Sequence, residues 1–170
     1  MPNNSPTLTA ADRASAPVES TDWLLLDQQL CFALYATSLA MTKLYKPLLG
    51  PLGLTYPQYL VMLVLWESDG VGVSELGQRL NLDSGTLTPL LKRLESIALI
   101  ARRRDSKDER RVEIHLTEAG RVLRAKAVGI PEELACASAC SPDQLQTLTR
   151  QLHDLRGQLL THLERSPAPD

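Results

Sequence analysis

"VSELGQRLNLDSGTLTPLLKRLESIALIARRRDSKDERRVEIHLT", residues 73–117, holds two helical patterns, a tight turn and a strand in succession. Ser74 is placed to cap a short helix running through Leu80. "NLDSGT" then reads as a turn rich in capping residues. "LTPLLKRLESI" follows as a second helical pattern, and two caps are open for it. If Ser84 caps it, Pro89 falls inside the helix and removes a hydrogen bond. If Thr86 caps it, Pro89 sits in the first turn, where the missing donor costs little. Two short helices joined by a tight turn, the second with Thr, Lys and Arg on its open face, form the helix-turn-helix layout. Its reading helix presents Ser84, Thr86, Thr88, Lys92 and Arg93 as candidate DNA contacts. Small hydroxyls near a helix N-terminus suit phosphates and base edges, although the same groups also serve as caps.

The period then changes. Val112, Ile114 and Leu116 alternate with Glu113 and His115, the pattern of a half-buried strand. "RRRDSKDERR" before it reads as a charged hairpin tip, so a wing follows the helix-turn-helix. Residues 100–111 carry six basic and three acidic side chains, a local +3 in a chain whose net charge is −2. On its own such a loop is more often merely solvated. Directly after a helix-turn-helix it reads as a DNA contact, because arginine at a hairpin tip enters a minor groove or clamps phosphates. Arg103, Lys107, Arg110 and Arg111 are the candidates. Asp108 is expected to hold Arg110 or Arg111 in a carboxylate–guanidinium pair.

Around this unit, 170 residues suit one domain with extensions. Apolar content of 44% and charge of 22% are ordinary for a soluble protein, so any nucleic-acid argument rests on local charge. No apolar run approaches the ~18 residues that span a bilayer, and the N-terminus lacks the basic start and apolar core of a secretion signal. The expectation is a cytoplasmic protein with no membrane partner. There, three cysteines do not imply a structural disulfide framework.

The polar N-terminus reads as a disordered tail, as does "RSPAPD" at the other end. Leu26, Leu30, Leu34, Thr37, Met41, Leu44 and Leu48 form one apolar ridge. Its helix is expected to start near Ser20 to Asp22 and to end at Pro47, Gly50, Pro51 and Gly53. "TYPQYLVMLVLWES" is apolar nearly all round and reads as a buried helix closed by Asp69-Gly70. Thr117 is placed to cap a helix through "EAGRVLRAKAVGI" that extends past Pro131 to Cys136. Ser141-Pro142-Asp143-Gln144 is a strong helix start. The helix after it carries Leu145, Leu148, Leu152, Leu155, Leu159 and Leu163, a narrow seam suited to a partner helix. The seam could instead pack on the chain's own first helix. A dimer is the preferred reading, because the first and last helices flank the central unit from both ends. The expected division is 1–20 tail, 21–50 dimerisation and sensing, 51–120 DNA binding, 121–165 dimerisation and 166–170 tail.

One thiol, Cys31, lies early in the first helix. Buried free cysteine is often mere filler. Aromatics are 4% of the chain, yet all fall between Trp23 and Trp66. Core packing is the preferred reading for Tyr59 and Trp66. Tyr45 is fourteen residues from Cys31, ~21 Å along one straight helix, so it could serve that thiol only from another, antiparallel subunit. Thiolates form more easily at helix N-termini or beside cations. Cys31 is expected well past the first turn, with Lys43 the nearest later cation. Hydrogen bonds from tyrosine hydroxyls are then the most economical way to steady a thiolate. Cys136 and Cys140 stand four apart. His115, His153 and His162 make no zinc-like cluster with them, so no metal and no cofactor are expected. A partner for a sulfenic acid on Cys31 fits better.

"LCFALYATS", "MTKLYKPLL", "LTYPQYL" and "DSGTLTPLLKRLE", with the "DERR" wing, resemble the MarR-type winged helix-turn-helix repressors. Within them they are similar to the organic hydroperoxide resistance regulators (OhrR), over about Leu26 to Leu163. The resemblance implies a mainly α fold with a small β-hairpin wing. It implies a homodimeric repressor that binds a palindromic double-stranded operator when reduced and is released by an organic hydroperoxide. Cys31 matches the family's sensing cysteine, and Tyr45 and Tyr56 match the tyrosines that hydrogen-bond it from the other subunit. Tyr35 is a weaker candidate. Cys136 matches the resolving cysteine of one subgroup, with Cys140 or an external thiol as alternatives. Two other functions remain in view: a MarR-type repressor released by a small phenolic or aromatic ligand, and a cysteine peroxidase. The second would leave the leucine seam and the wing unexplained.

Overall fold

The computed structural model describes residues 24–104 and 111–165. It orders them as α1 (Leu30–Leu49), α2 (Tyr56–Glu67), β1 (Val71–Gly72), α3 (Val73–Leu80), α4 (Ser84–Ser96), β2 (Ile100–Arg104), β3 (Val112–Leu116), α5 (Glu118–Ala127), α6 (Ile130–Ser138) and α7 (Pro142–Arg165). The three strands form an antiparallel sheet in the order β1-β3-β2. The fold is the mainly helical winged helix-turn-helix expected from the sequence. By contacts the chain divides into two units, residues 1–41 and 42–170.

In the first unit a 3-10 turn, Leu26–Gln28, precedes α1. The expected start near Ser20 to Asp22 lies outside the described residues, as do both tails. Leu26, the first residue of the apolar ridge, belongs to that turn rather than to the helix. Gln29 is extended, with φ −83° and ψ 113°, and separates the two. Cys31 is therefore the second residue of α1 and not, as the sequence suggested, well past its first turn. Leu30, Leu34, Tyr35 and Leu39 are all exposed.

The second unit contains the core. Pro47 does not end α1, which continues to Leu49. Burial of Tyr45 and Leu49 on either side of it holds the last turn. The helix gives way at Gly50 to a 3-10 turn, Gly50–Leu52, which Gly53 closes with a φ of +68° that favours glycine. Helix α2 opens with a capping box between Thr55 and Gln58 and with proline in its first turn. Val61, Met62, Val64 and Leu65 are buried, and α2 packs on α3, α4, β3 and α5. The short α3 is capped by the backbone of Gly72 and not by Ser74, which lies inside it. Thr117 caps α5 by accepting from the N–H of Gly120 at 3.1 Å. The chain then breaks at Val128-Gly129 and restarts as α6, with Pro131 in the first turn, so the expected continuous helix is two. Helix α7 begins with a reciprocal cap: Ser141 N–H donates to Gln144 Oε1 at 2.8 Å and Gln144 N–H to Ser141 Oγ at 3.3 Å.

One carboxylate ties these elements together. Asp69, just past α2, accepts from the N–H of Leu116 on β3 at 2.7 Å and from Arg121 of α5 at 2.7 Å. Partial burial alone would raise its pKa. The N–H of Leu116, the Arg121 guanidinium and the N–H of Gly70 outweigh that and hold the carboxyl below its usual range. A group that binds its proton more weakly when folded stabilises the fold above its unfolded pKa, ~4, and loses that contribution as pH falls through its folded value. Asp69→Ala is expected to cost about 2 kcal/mol near neutral pH, since it orphans a backbone donor. Urea unfolding should show a smaller difference at about pH 3. An equal loss at both pH values would contradict the assignment.

Candidate functional site

The reading helix is built by alternation of two faces. Leu87, Leu91 and Leu94 are buried, which turns Gly85, Thr86, Pro89, Lys92 and Arg93 outward. The N-cap is neither Ser84 nor Thr86 but Asp83. Its carboxylate accepts from Thr86 N–H at 2.9 Å and from the Thr86 hydroxyl at 2.8 Å. The Thr86 backbone and side-chain donors hold the Asp83 carboxyl below its usual range. Asp wins because its carboxylate reaches two donors three residues on, where a serine hydroxyl offers one oxygen. Pro89 consequently lies inside the helix. Both it and Gly85, whose carbonyl loses an amide partner, are exposed, so water can serve that oxygen. Ser84 is exposed at the first helical position. The Thr88 hydroxyl is turned back onto Ser84 O at 2.6 Å.

Strand β2 pairs Arg102 with Ile114 and Arg104 with Val112. Arg102, Arg103 and Arg104, expected in the hairpin tip, are thus strand residues. Arg103 and Arg104 are exposed. Arg102 turns inward, and its Nε lies 3.2 Å from Glu95 Oε2 of α4. Nε and Nη2 of Arg102 are buried and make no hydrogen bond among the described residues, so the contact with Glu95 is an ion pair without hydrogen-bond geometry. Arg111 is exposed, with Nη2 against Gly72 at the start of α3. Lys107, Asp108 and Arg110 lie outside the described residues.

The second constellation is aromatic. The turn after α1 brings Tyr45 against Tyr56, with ring centroids 4.5 Å apart, and against Tyr59 at 5.9 Å. Tyr59 meets Trp66 edge-on at 6.2 Å. Trp66 Nε1 donates to Gly120 O at 2.9 Å. Tyr59 is core, as the sequence suggested. Burial, then the neighbouring Tyr56 and Tyr59, pushes the Tyr45 hydroxyl up to about 12. Burial also raises Tyr56. Both phenols therefore remain protonated donors across the physiological range. Of the cysteines, Cys31 and Cys136 are exposed and Cys140 is half-buried, all as free thiols.

A family model described as transcriptional regulator SarA/Rot matches residues 43–126. The organic hydroperoxide resistance transcriptional regulator of Bacillus subtilis is 52% identical over 134 residues, 79% of this chain and 91% of that protein. A solved structure of reduced AbfR bound to DNA matches 83% of this chain and 96% of its own, at 34% identity and a TM-score of 0.62. Overoxidised AbfR bound to DNA matches 79% and 94%, at 35% identity and a TM-score of 0.65. These likenesses cover the reading helix, the wing strands and the aromatic cluster together. The chain belongs to the MarR-type winged helix-turn-helix regulators, in the organic hydroperoxide resistance branch, and is a DNA-binding transcriptional regulator rather than an enzyme.

Proposed function

We propose that the chain is a redox-sensing repressor that holds a palindromic operator when reduced and releases it when an organic hydroperoxide oxidises Cys31. The observation that carries this reading is the Tyr45–Tyr56 pair. Two buried-edge phenols, kept protonated, are packed ring on ring and have hydroxyls to donate. A thiolate from a second copy is the acceptor such a pair suits. Cys31 adds to this, because the first turn of a helix favours negative charge. Residues 21–50 and 121–165 are the dimer arms around a DNA-binding unit, 51–120. The exposed leucines of α1 and α7 support that division.

In this reading Ser84, Thr86, Thr88, Lys92 and Arg93 face the major groove, and Arg103, Lys107, Arg110 and Arg111 take the backbone and the minor groove. The hydroperoxide converts the Cys31 thiolate to a sulfenic acid, and the tyrosine contacts are lost. The partner's Cys136 captures the sulfur. The two reading helices then leave the one-turn spacing that a duplex demands.

The test is operator binding, on a duplex recovered by selection from random sequence, with and without an excess of organic hydroperoxide. Wild type is expected to release the duplex. Cys31→Ser is expected to hold it with a Kd unchanged by peroxide. Release by the mutant would end the sensor assignment.

A further inference from the structure

Cys136 and Cys140 sit on either side of the end of α6. Cys136 is in its last turn and exposed, whereas Cys140 is half-buried just beyond it. Between them Ala139 is left-handed, with φ +52°, a conformation an alanine adopts only at a cost of ~1 kcal/mol. Its N–H closes back on Cys136 O at 3.2 Å. Cys140 N–H reaches Ser138 Oγ at 3.4 Å, and Ser138 Oγ donates to Ala135 O at 2.8 Å. The segment is thus a closed reversal with a thiol at each end. The Ala139–Cys136 hydrogen bond draws the backbone on either side of the reversal together, as a disulfide requires, since its Cα atoms must lie within ~7 Å. With three residues between them, each thiol sees the other at an effective concentration of ~mM or more.

We propose that Cys140 discharges the mixed disulfide and restores Cys31. This rests on the reading above, in which the partner's Cys136 resolves the Cys31 sulfenic acid. The hydroperoxide first oxidises the Cys31 thiolate and leaves as an alcohol. The Cys136 thiol then displaces water, forming the Cys31–Cys136 bond between subunits. In the new step the Cys140 thiolate attacks the Cys136 sulfur. The Cys136–Cys140 bond forms, the Cys31–Cys136 bond breaks, and Cys31 leaves as a thiolate that takes up a proton. No outside oxidant or reductant enters this exchange. The difference in exposure sets the order: the exposed Cys136 meets the other subunit first, and the half-buried Cys140 follows. The pair thereby absorbs a first equivalent of hydroperoxide and returns a reduced sensor.

The experiment treats the reduced full-length protein with one equivalent of cumene hydroperoxide. Remaining thiols are alkylated, and the links are mapped by non-reducing digestion and mass spectrometry. Wild type is expected to end with Cys31 alkylated and a Cys136–Cys140 link within one chain. Cys140→Ser and Cys140→Ala are expected to end as the intersubunit Cys31–Cys136 dimer, which wild type loses with time. In Cys31→Ser no Cys136–Cys140 link is expected. If wild type stops at Cys31–Cys136 with Cys140 alkylated, the exchange is overturned and the sensor reading stands. If Cys31→Ser forms the Cys136–Cys140 link as fast as wild type, the pair is oxidised directly and the exchange is overturned, while operator release from Cys31→Ser judges the sensor reading separately.

Discussion

Gly120→Ala is expected to destabilise the protein by ~3 kcal/mol, the upper part of the range for forcing extra volume into a packed site. A Cβ at Gly120 would lie 2.2 Å from the carbonyl oxygen of Leu99. That oxygen belongs to backbone and already accepts from Thr117 N–H at 3.1 Å. It cannot turn aside as a flexible side chain would. Helix α5 must instead move off the strand entry at Ile100, taking with it the Gly120 carbonyl that receives the indole of Trp66. For a chain of this size the loss corresponds to a fall in Tm of ~6–12 °C. Thermal unfolding followed by tryptophan fluorescence measures both the fall and the loosening of Trp66. A variant within about a degree of wild type would show that the approach of α5 to Leu99 is looser than it stands here.

Leu152→Glu combined with Leu159→Glu is expected to abolish the proposed dimer while leaving the protomer folded. Not one residue of α7 is buried within the protomer, and Leu152 and Leu159 are 47% and 55% exposed. Burying the half of each leucine still exposed is worth ~1 kcal/mol. Four such side chains per dimer therefore contribute ~4 kcal/mol, a factor of ~10³ in association. Sedimentation should show a monomer, circular dichroism an unchanged helix content, and operator binding a matching loss. A double variant that still sediments as a dimer would place the interface elsewhere.

The winged helix-turn-helix was legible because each of its parts has its own period: leucines at three and four in the helices, strict alternation in Val112 to Leu116. What escaped the sequence is local. "DSGT" offers three side-chain caps, Asp83, Ser84 and Thr86, within four residues, and only side-chain reach selects Asp83. The apolar ridge beginning at Leu26 passes unbroken through a 3-10 turn, so periodicity could not register the extended Gln29 or place Cys31 in the first turn. Strand β1 is two residues long and has no period at all. Arg102 was readable in principle. It shares parity with Ile100 on the strand, which points it inward, away from Arg103. The pairing of Tyr45 with Tyr56 needed the fold, since two helices must turn at Gly53 before the rings meet. Asp69 was legible only as part of the close of a helix; its tie to Leu116 and Arg121 was not, because Leu116 lies 47 residues on and Arg121 further still.

The ion pair between Arg102 and Glu95 links the wing strand to the reading helix. Strand and helix are thereby two prongs of one tool. In the proposed complex, a wing tied to its helix does not lift readily while that helix stays seated. Misalignment in one groove is then felt in the other, and a tilt of the whole unit disengages both. The proposed grip on DNA thus has the character of a clasp, held or let go.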